Sequence, residues 1–205
     1  MYVMKVLVIS NFLTQFFVLS GNNNHIPELY SKMNSKDLQV VDLNLEFSHI
    51  CSVKDHIWNT EYIPKNFNED TYDYEFQIKD VNDGDMKQYI EKIVINLHET
   101  VNEPTQIFTE PPYVIKRSGW AGFPILVEFY FKGLSENDSA KCAKITYDLF
   151  LTPNLEEIKS GRKNKFKRTN KFSNRKRMTI SHKNPRFIQR LINGGGYLHK
   201  SQNEY

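Results

Sequence analysis

The chain has 205 residues, with 27 Lys or Arg against 24 Asp or Glu, and a formal net charge of +3 at pH 7. This length allows one domain with appendages or two small domains, and 40% hydrophobic residues are enough for a packed core. The two cysteines, Cys51 and Cys142, form neither a metal-ligand spacing nor a disulfide framework. The composition therefore excludes a disulfide-rich or zinc-dependent scaffold, indicates a reducing compartment and predicts no metal site or cofactor.

Residues 1–36 are predicted to be an N-terminal extension. The first 20 residues contain one lysine and then a mostly apolar run that leads to Ser20-Gly21, which is the outline of a secretory signal peptide. An extra apolar strand, or a start placed upstream of the true one, explains the same run. Residues 21–36 are polar and rich in asparagine, which is typical of a linker. No other segment approaches a transmembrane span, so no membrane contact is predicted.

Alternating apolar and polar residues mark the strands in the middle of the chain. Tyr72, Tyr74, Phe76 and Ile78 alternate with polar residues, so one strand face is buried and the other is wet. Turns containing Pro, Gly or Asn separate these segments, and no 3.6-residue period precedes residue 180. About seven short strands of this kind predict an all-β antiparallel sandwich. The predicted strands are 38–47, 72–78, 91–98, 113–116, 125–131, 145–151 and 178–180.

The composition changes after residue 153. From Lys159 to Arg177 there are ten Lys or Arg and no Asp or Glu. The segment 154–177 is therefore predicted to be a basic insertion, which is a solvated loop, a nuclear localisation signal or an arm that contacts DNA phosphates non-specifically. A short helix is predicted from Asn184-Pro185 to the glycines at 194–196, followed by a tail at 197–205. The candidate residues for nucleic-acid or import contacts are Arg162, Lys163, Lys165, Lys167, Arg168, Arg175, Lys176 and Arg177.

Common catalytic motifs do not occur in this sequence. There is no GxGxxG, Walker loop, HExxH, GxSxG or CxxC pattern. The histidines are scattered, and spacing assigns no nucleophile or carboxylate partner to His98-Glu99 at its strand end. The sequence therefore predicts a binding protein rather than an enzyme.

Five short motifs follow one another in the central part of the chain. They are LHET at 97–100, EPPY at 110–113, SGWAGF at 118–123, the strand 125–131 and YDLFL at 147–151. In this order and spacing they resemble the YEATS domain, an immunoglobulin-like reader of acylated lysine in histone tails. The SGxAGF loop and the YDLFL ending are especially similar to the YEATS proteins of the super elongation complex. The resemblance covers about residues 37–196, with insertions at 54–70 and 154–177.

The resemblance implies an immunoglobulin-like sandwich with a short C-terminal helix and, at one end, a narrow slot for the acyl-lysine. Trp120 corresponds to one wall of the slot. Its backbone N–H and the Thr100 hydroxyl correspond to donors to the acyl carbonyl. Asp148 corresponds to a carboxylate that pairs with an arginine of the tail. An unmodified lysine would lose its hydration in the slot, which selects the neutral acylated form. The implied acyl-lysine-binding residues are Trp120, Thr100, Gly119, Ala121, His98, Phe123 and Val101.

This sequence departs from the family pattern at two positions. Val101 stands where the second sandwiching aromatic is expected, and Asp70 aligns with an aromatic near the slot entrance. A valine supplies an apolar wall but no π-face, and losing one side of such a sandwich costs on the order of 1 kcal/mol. Acyl-lysine binding is therefore expected to be weakened or changed in acyl preference.

Three hypotheses for function follow from these observations. The first is a nuclear reader of acetyl- or crotonyl-lysine in histone tails, with H3 favoured, which associates with chromatin complex subunits and regulates transcription. The second is a scaffold subunit of a chromatin complex that keeps the fold but has a weakened acyl slot. The third is a secreted immunoglobulin-like binding domain, and it rests only on the first 20 residues.

Overall fold

The structure is a computed structural model that describes residues 38–54, 71–152 and 169–199. The predicted N-terminal extension, Asp70 and the basic candidates from Arg162 to Arg168 lie outside these residues. The described residues form nine strands, one 3₁₀ helix and one α-helix. They are β1 (Gln39–Val53), β2 (Tyr72–Asp80), the 3₁₀ helix (Met86–Gln88), β3 (Ile90–Asn96), β4 (Thr105–Phe108), β5 (Tyr113–Gly119), β6 (Pro124–Phe131), β7 (Cys142–Asp148), β8 (Thr169–His182), α1 (Pro185–Asn193) and β9 (Tyr197–Leu198).

The strands pair antiparallel in two sheets. The first sheet has the order β5-β2-β1-β8, with β9 paired to the start of β1, and the second has the order β4-β3-β6-β7. Among the described residues, β8 therefore lies at one edge of the first sheet and β7 at one edge of the second. The predicted all-β sandwich with a short C-terminal helix is confirmed.

The two sheets pack through aromatic side chains that the alternating pattern places on the inner face of each strand. The Phe47 ring centroid of β1 lies 6.2 Å from that of Phe129 in β6 and 5.9 Å from that of Tyr147 in β7. Phe76 of β2 lies 5.1 Å from Tyr147 by the same measure. All four side chains are buried. Removing such rings from water is the main favourable term that holds two sheets together.

The helix α1 covers one end of the sandwich. The Asn184 side chain accepts hydrogen bonds from the N–H groups of Arg186 and Phe187 at 3.0 and 3.3 Å, and so caps the helix as its sequence predicts. The apolar face of the helix packs against β6 of the sandwich, with the Phe187 ring centroid 5.8 Å from that of Phe131. The helix ends at Asn193, and Gly195 has a φ of +110°, which is outside the helical region. Only glycine fits at 194, where a Cβ would lie 2.3 Å from the ring of Tyr89. No helix in the described part of the chain is long and apolar enough to cross a membrane.

Several element boundaries differ from those expected from the sequence. The last long strand begins at Thr169 and not at Met178, so the end of the expected basic insertion, 169–177, is part of β8. The reason is pairing with β1, which runs from Gln39 opposite His182 to Ser52 opposite Thr169 and needs no apolar alternation in β8. The strand β4 was not expected. Tyr197–Leu198, expected in the tail, pair with β1 as β9.

Candidate functional site

The loop between β3 and β4 carries the first group of predicted site residues. At its base the Leu97 N–H donates to the carbonyl oxygen of Pro104 at 2.8 Å. Inside it the Val101 N–H donates to the carbonyl oxygen of His98 at 2.9 Å, which closes a tight turn. The side chains of His98 and Thr100 are exposed at the surface of the loop, whereas Val101 is half-buried. The loop therefore presents a polar pair beside one apolar residue.

The polar pair of this loop, His98 and Thr100, is internally hydrogen-bonded. The His98 Nδ1 atom lies 2.9 Å from Thr100 Oγ1 and 3.3 Å from the Thr100 backbone nitrogen. The Thr100 backbone N–H donates to Nδ1, so this nitrogen is an acceptor and the Thr100 O–H donates to it as well. The histidine therefore orients the hydroxyl, which must turn away before it can donate to a ligand.

The loop between β5 and β6 has a tightly held backbone and an uncovered tryptophan. A Cβ on Gly122 would lie 2.2 Å from the carbonyl oxygen of Leu149, so the backbone there passes too close for any other residue. On Gly119 a Cβ would make only ordinary contacts, 3.4 Å from a Leu151 methyl carbon. The Trp120 side chain is 49% exposed. An exposed indole on a restrained backbone is available to stack on a planar group.

The two loops meet through one aromatic contact and one ion pair. The ring centroids of His98 and Phe123 are 6.1 Å apart, and Phe123 also packs edge-on against Tyr74 at 6.3 Å. Arg117, just before the tryptophan loop, lies 3.8 Å from the carboxylate of Glu103 in the other loop. These contacts bring His98, Thr100 and Val101 to the same end of the sandwich as residues 119–123.

Asp148 lies beside this pair of loops. It ends β7 and pairs with Pro124, the residue that follows Phe123, so its exposed carboxylate stands next to the tryptophan loop. The structure thus gathers all eight residues implied for acyl-lysine and tail contacts at one end. Arg175 and Arg177 lie instead on the outer face of β8, 3.8 Å from Glu46 and 3.9 Å from Asp42 respectively.

The segment that follows β7 is held by His49, which sequence analysis did not single out. His49 is 1% exposed, and its Nε2 donates to the Phe150 carbonyl oxygen at 2.8 Å. Its Nδ1 therefore accepts from the Tyr147 hydroxyl at 2.6 Å. Burial, with the nearby Asp148 carboxylate, raises the pKa of Tyr147 to about 12, so its hydroxyl keeps its proton. Burial also lowers the pKa of His49, which agrees with a neutral ring.

This anchoring reaches the tryptophan loop. Leu149 precedes Phe150 and donates its N–H to the Phe123 carbonyl oxygen at 3.0 Å. The Leu149 carbonyl oxygen lies against the backbone of Gly122. His49 thus holds the backbone on which the tryptophan loop rests. A signal for it was present in the sequence, because His49 falls on the buried face of β1 between Phe47 and Cys51, where a histidine needs partners for both ring nitrogens.

Within residues 38–54, 71–152 and 169–199, no three His, Cys, Asp or Glu side chains come together in a way that could hold a metal ion. The chemistry available at the site is hydrogen bonding, stacking and the exposed carboxylate of Asp148. That set of groups suits recognition of a peptide side chain.

The fold and this site define an immunoglobulin-like β-sandwich that presents a binding surface on loops at one end. The model of the YEATS family matches residues 69–153, which include both loops and the segment after β7. Residues 69–153 are thus similar to the YEATS family.

Among curated relatives, protein AF-9 of Mus musculus is 35% identical over 81 residues, which cover 40% of this chain and 14% of that protein. The AF-9 homolog of Schizosaccharomyces pombe is 31% identical over 61 residues, covering 30% of this chain and 28% of that protein. The chain thus spans a small part of the length of these relatives.

Solved structures agree with the fold. The Yaf9 YEATS domain bound to H3K27ac matches with a TM-score of 0.55 at 18% identity, over 76% of this chain and 96% of that chain. The Yaf9 YEATS domain recognising an H3K122suc peptide matches with the same TM-score at 17% identity, over 76% of this chain and 96% of that one. At these identities the likeness establishes the fold.

Proposed function

We propose that this chain is a non-enzymatic, nuclear reader of acylated lysine in histone tails that acts in transcription regulation with other subunits of a chromatin complex. The observation that carries the proposal is the meeting of two loops at one end of the sandwich. One loop offers an exposed indole and the other a histidine-oriented hydroxyl, with a carboxylate beside them. Relatives of the same fold that were solved with acylated H3 peptides support it.

The proposed site distinguishes an acylated from an unmodified lysine by charge. An acyl amide is planar and neutral, so it stacks on the Trp120 indole and accepts a hydrogen bond from the Thr100 hydroxyl. A free ammonium group would have to give up its hydration against Val101 and Trp120 with no partner in return. Acetyl- and crotonyl-lysine are the expected ligands, and H3 is the expected histone.

The carboxylate of Asp148 is proposed to pair with an arginine of the same tail. It is exposed, and it lies next to the tryptophan loop rather than inside the sandwich. A charge-assisted hydrogen bond at such a position adds orientation to the peptide and modest affinity.

The test is a titration with H3 peptides that differ only at one lysine, which is acetylated, crotonylated or unmodified. The wild-type chain should bind both acylated peptides more tightly than the unmodified one. Trp120→Ala should abolish this difference, whereas Leu38→Ala, another exposed apolar residue (58%) at the opposite end of the sandwich, should not. Equal affinity for all three peptides, or no binding by any of them, would contradict the proposal that the chain is a reader of acylated lysine.

One observation favours the scaffold alternative. Val101 is half-buried in its loop and offers no π-face, so the proposed slot has an aromatic wall at Trp120 and an aliphatic one at Val101. On this alternative the fold serves complex assembly, and the three peptides would show no difference that depends on Trp120.

A DNA contact is proposed for the basic side chains of β8. The side chains of Arg175 and Arg177 are 72% and 64% exposed, and their carboxylate neighbours are 3.8 and 3.9 Å away, at the limit of an ion pair. Replacing Arg175, Lys176 and Arg177 by glutamine should weaken binding to duplex DNA. The slope of log K against log salt concentration should become less steep by roughly 0.9 for each phosphate contact that is lost. An unchanged salt dependence would argue against phosphate contacts by β8.

A further inference from the structure

A cleft separates β7 from β8 where the two sheets end on the same side of the sandwich. It has a volume of about 180 Å³ and is lined by residues of both strands and of the segment after β7. Pockets for whole small molecules are roughly 300 Å³ or more, so this cleft has room for one side chain of a larger ligand.

The floor of the cleft is aromatic and held in place from beneath. The Phe172 ring stacks on the buried His49 ring, with centroids 4.7 Å apart and an interplanar angle of 23°. The Phe150 ring lies 6.3 Å from Phe172, and its own backbone carbonyl accepts the hydrogen bond from His49. Phe150 nevertheless remains 53% exposed. A ring that is about half exposed is available for contact with another molecule.

The walls of the cleft carry one charge of each sign. Asp148 lies on the β7 wall and Lys176 on the β8 wall, with the polar side chains of Thr146 and Asn174 near them. Asp148 is already proposed to pair with an arginine of the tail. The part of the cleft left for a further side chain is its aromatic floor, which favours an apolar side chain.

The cleft is continuous with the proposed acyl-lysine site. A Cβ built on Gly122 would lie 3.2 Å from the Phe150 Cα, and Gly122 is two residues from Trp120. From Phe150 the cleft follows β7 as far as Thr146, a strand length of roughly 13 Å at about 3.3 Å per residue. An extended peptide with a lysine side chain at Trp120 can therefore reach the cleft with a residue two to four positions away, at roughly the same rise per residue.

We propose that the cleft between β7 and β8 is a second specificity site, which takes an aliphatic or aromatic side chain two to four residues from the acylated lysine in the same peptide. The proposal rests on the reader function proposed above. It adds a sequence preference to that function, set by the Phe150 and Phe172 rings.

The experiment compares three kinds of acetyl-lysine ligand by titration, each beside its unmodified form. The first is a minimal capped acetyl-lysine and the second an alanine-flanked peptide. The third is a set of peptides that each carry one leucine, at the second, third or fourth position on either side of the lysine. The wild-type chain should bind one leucine peptide about five- to tenfold more tightly than the alanine peptide, since that much is expected for an apolar side chain that is only partly buried. Phe172→Ala should reduce the difference to about twofold or less and leave the minimal ligand unaffected.

Two further variants keep the result decisive. Phe172→Leu retains an apolar floor and should keep most of the leucine preference even if Phe172→Ala unfolds, and Leu38→Ala should keep all of it. If the minimal ligand binds but no leucine position improves binding to the wild-type chain, the cleft proposal is wrong and the reader function stands. A leucine preference that survives in a folded Phe172→Ala protein would overturn it as well. If no acetylated peptide binds better than its unmodified form, both proposals fall.

Discussion

The two ends of this sandwich are built in opposite ways. At the helix end, Phe187, Ile188 and Leu191 are buried, and the backbone at Gly194 lies against the ring of Tyr89. At the loop end, Trp120 and Phe150 are about half exposed although the backbone beneath them is held as closely as at the other end. The loop end is therefore not loosely made. It is a well-supported surface on which two large aromatic side chains are about half exposed, which is typical of an interaction site.

The largest expected effect is at the closed end. Leu191→Ala removes a fully buried side chain from α1 and should lower the free energy of unfolding by about 2–5 kcal/mol. Urea denaturation measures it, and the exposed Arg186→Ala in the same helix serves as the control, with a change of about 0.5 kcal/mol or less. A small loss for Leu191→Ala would mean that the helix is not what closes this end.

A matched pair of glycines tests the support of the loop end. Gly122→Ala would push a methyl group to within 2.2 Å of a backbone oxygen, so it should cost about 1–3 kcal/mol of stability and weaken acyl-peptide binding. Gly119→Ala places its methyl group at ordinary contact distances of 3.4 and 3.5 Å and should lower the stability much less. Thermal unfolding and peptide titration of the two variants decide the matter. Similar losses for both would contradict a specific close approach at Gly122.

The lack of a second aromatic ring at Val101 in the proposed acyl-lysine slot predicts that adding one increases the affinity. Val101→Phe supplies a second ring opposite or beside Trp120 and should tighten binding of a crotonylated peptide by about five- to tenfold, or ~1 kcal/mol. Leu38→Phe at the helix end controls for added surface hydrophobicity. If Val101→Phe leaves the affinity unchanged while Trp120→Ala abolishes it, the indole acts without an opposing wall.

The smallest effect is a pH dependence that belongs to His49. Burial lowers the pKa of His49 in the folded chain, so the unfolded chain takes up the proton first as the pH falls below about 6.5. The stability contributed by the neutral ring is therefore present above that pH and is lost on acidification. Comparing urea midpoints at pH 7.5 and 5.5, His49→Gln should show a smaller drop than the wild-type chain. An equal drop in the variant would assign the acid sensitivity to other groups.

Much of the fold follows from local patterns. Alternation along β2 and β3 predicts buried faces that the structure confirms, because a half-buried strand must place every second side chain inward. The strand β4 is not predicted by alternation, because it has four residues and Ile107 within it is 62% exposed. In β8 the alternation is obscured by basic residues, and the strand exists because a long β1 runs beside it.

The sequence likewise identifies some residues of the candidate site and not others. Gly119, Trp120 and Gly122 stand out in the sequence as a turn with one large side chain, and the motif order points to His98 and Thr100 as their partners. The support beneath them does not stand out. His49 and Phe150 are 101 residues apart, and only the pairing of the sheets brings the ring nitrogen to the carbonyl oxygen.

The strands, the capped helix and the loop residues follow from the sequence, because they depend on short-range periodicity, capping and turn chemistry. The packing of His98 against Phe123, with ring centroids 6.1 Å apart, and the position of Phe172 over His49 rather than in a basic loop follow only from the three-dimensional structure. The physical reason is that these contacts depend on strand order and register, which place distant segments side by side. No local pattern in the chain specifies those quantities.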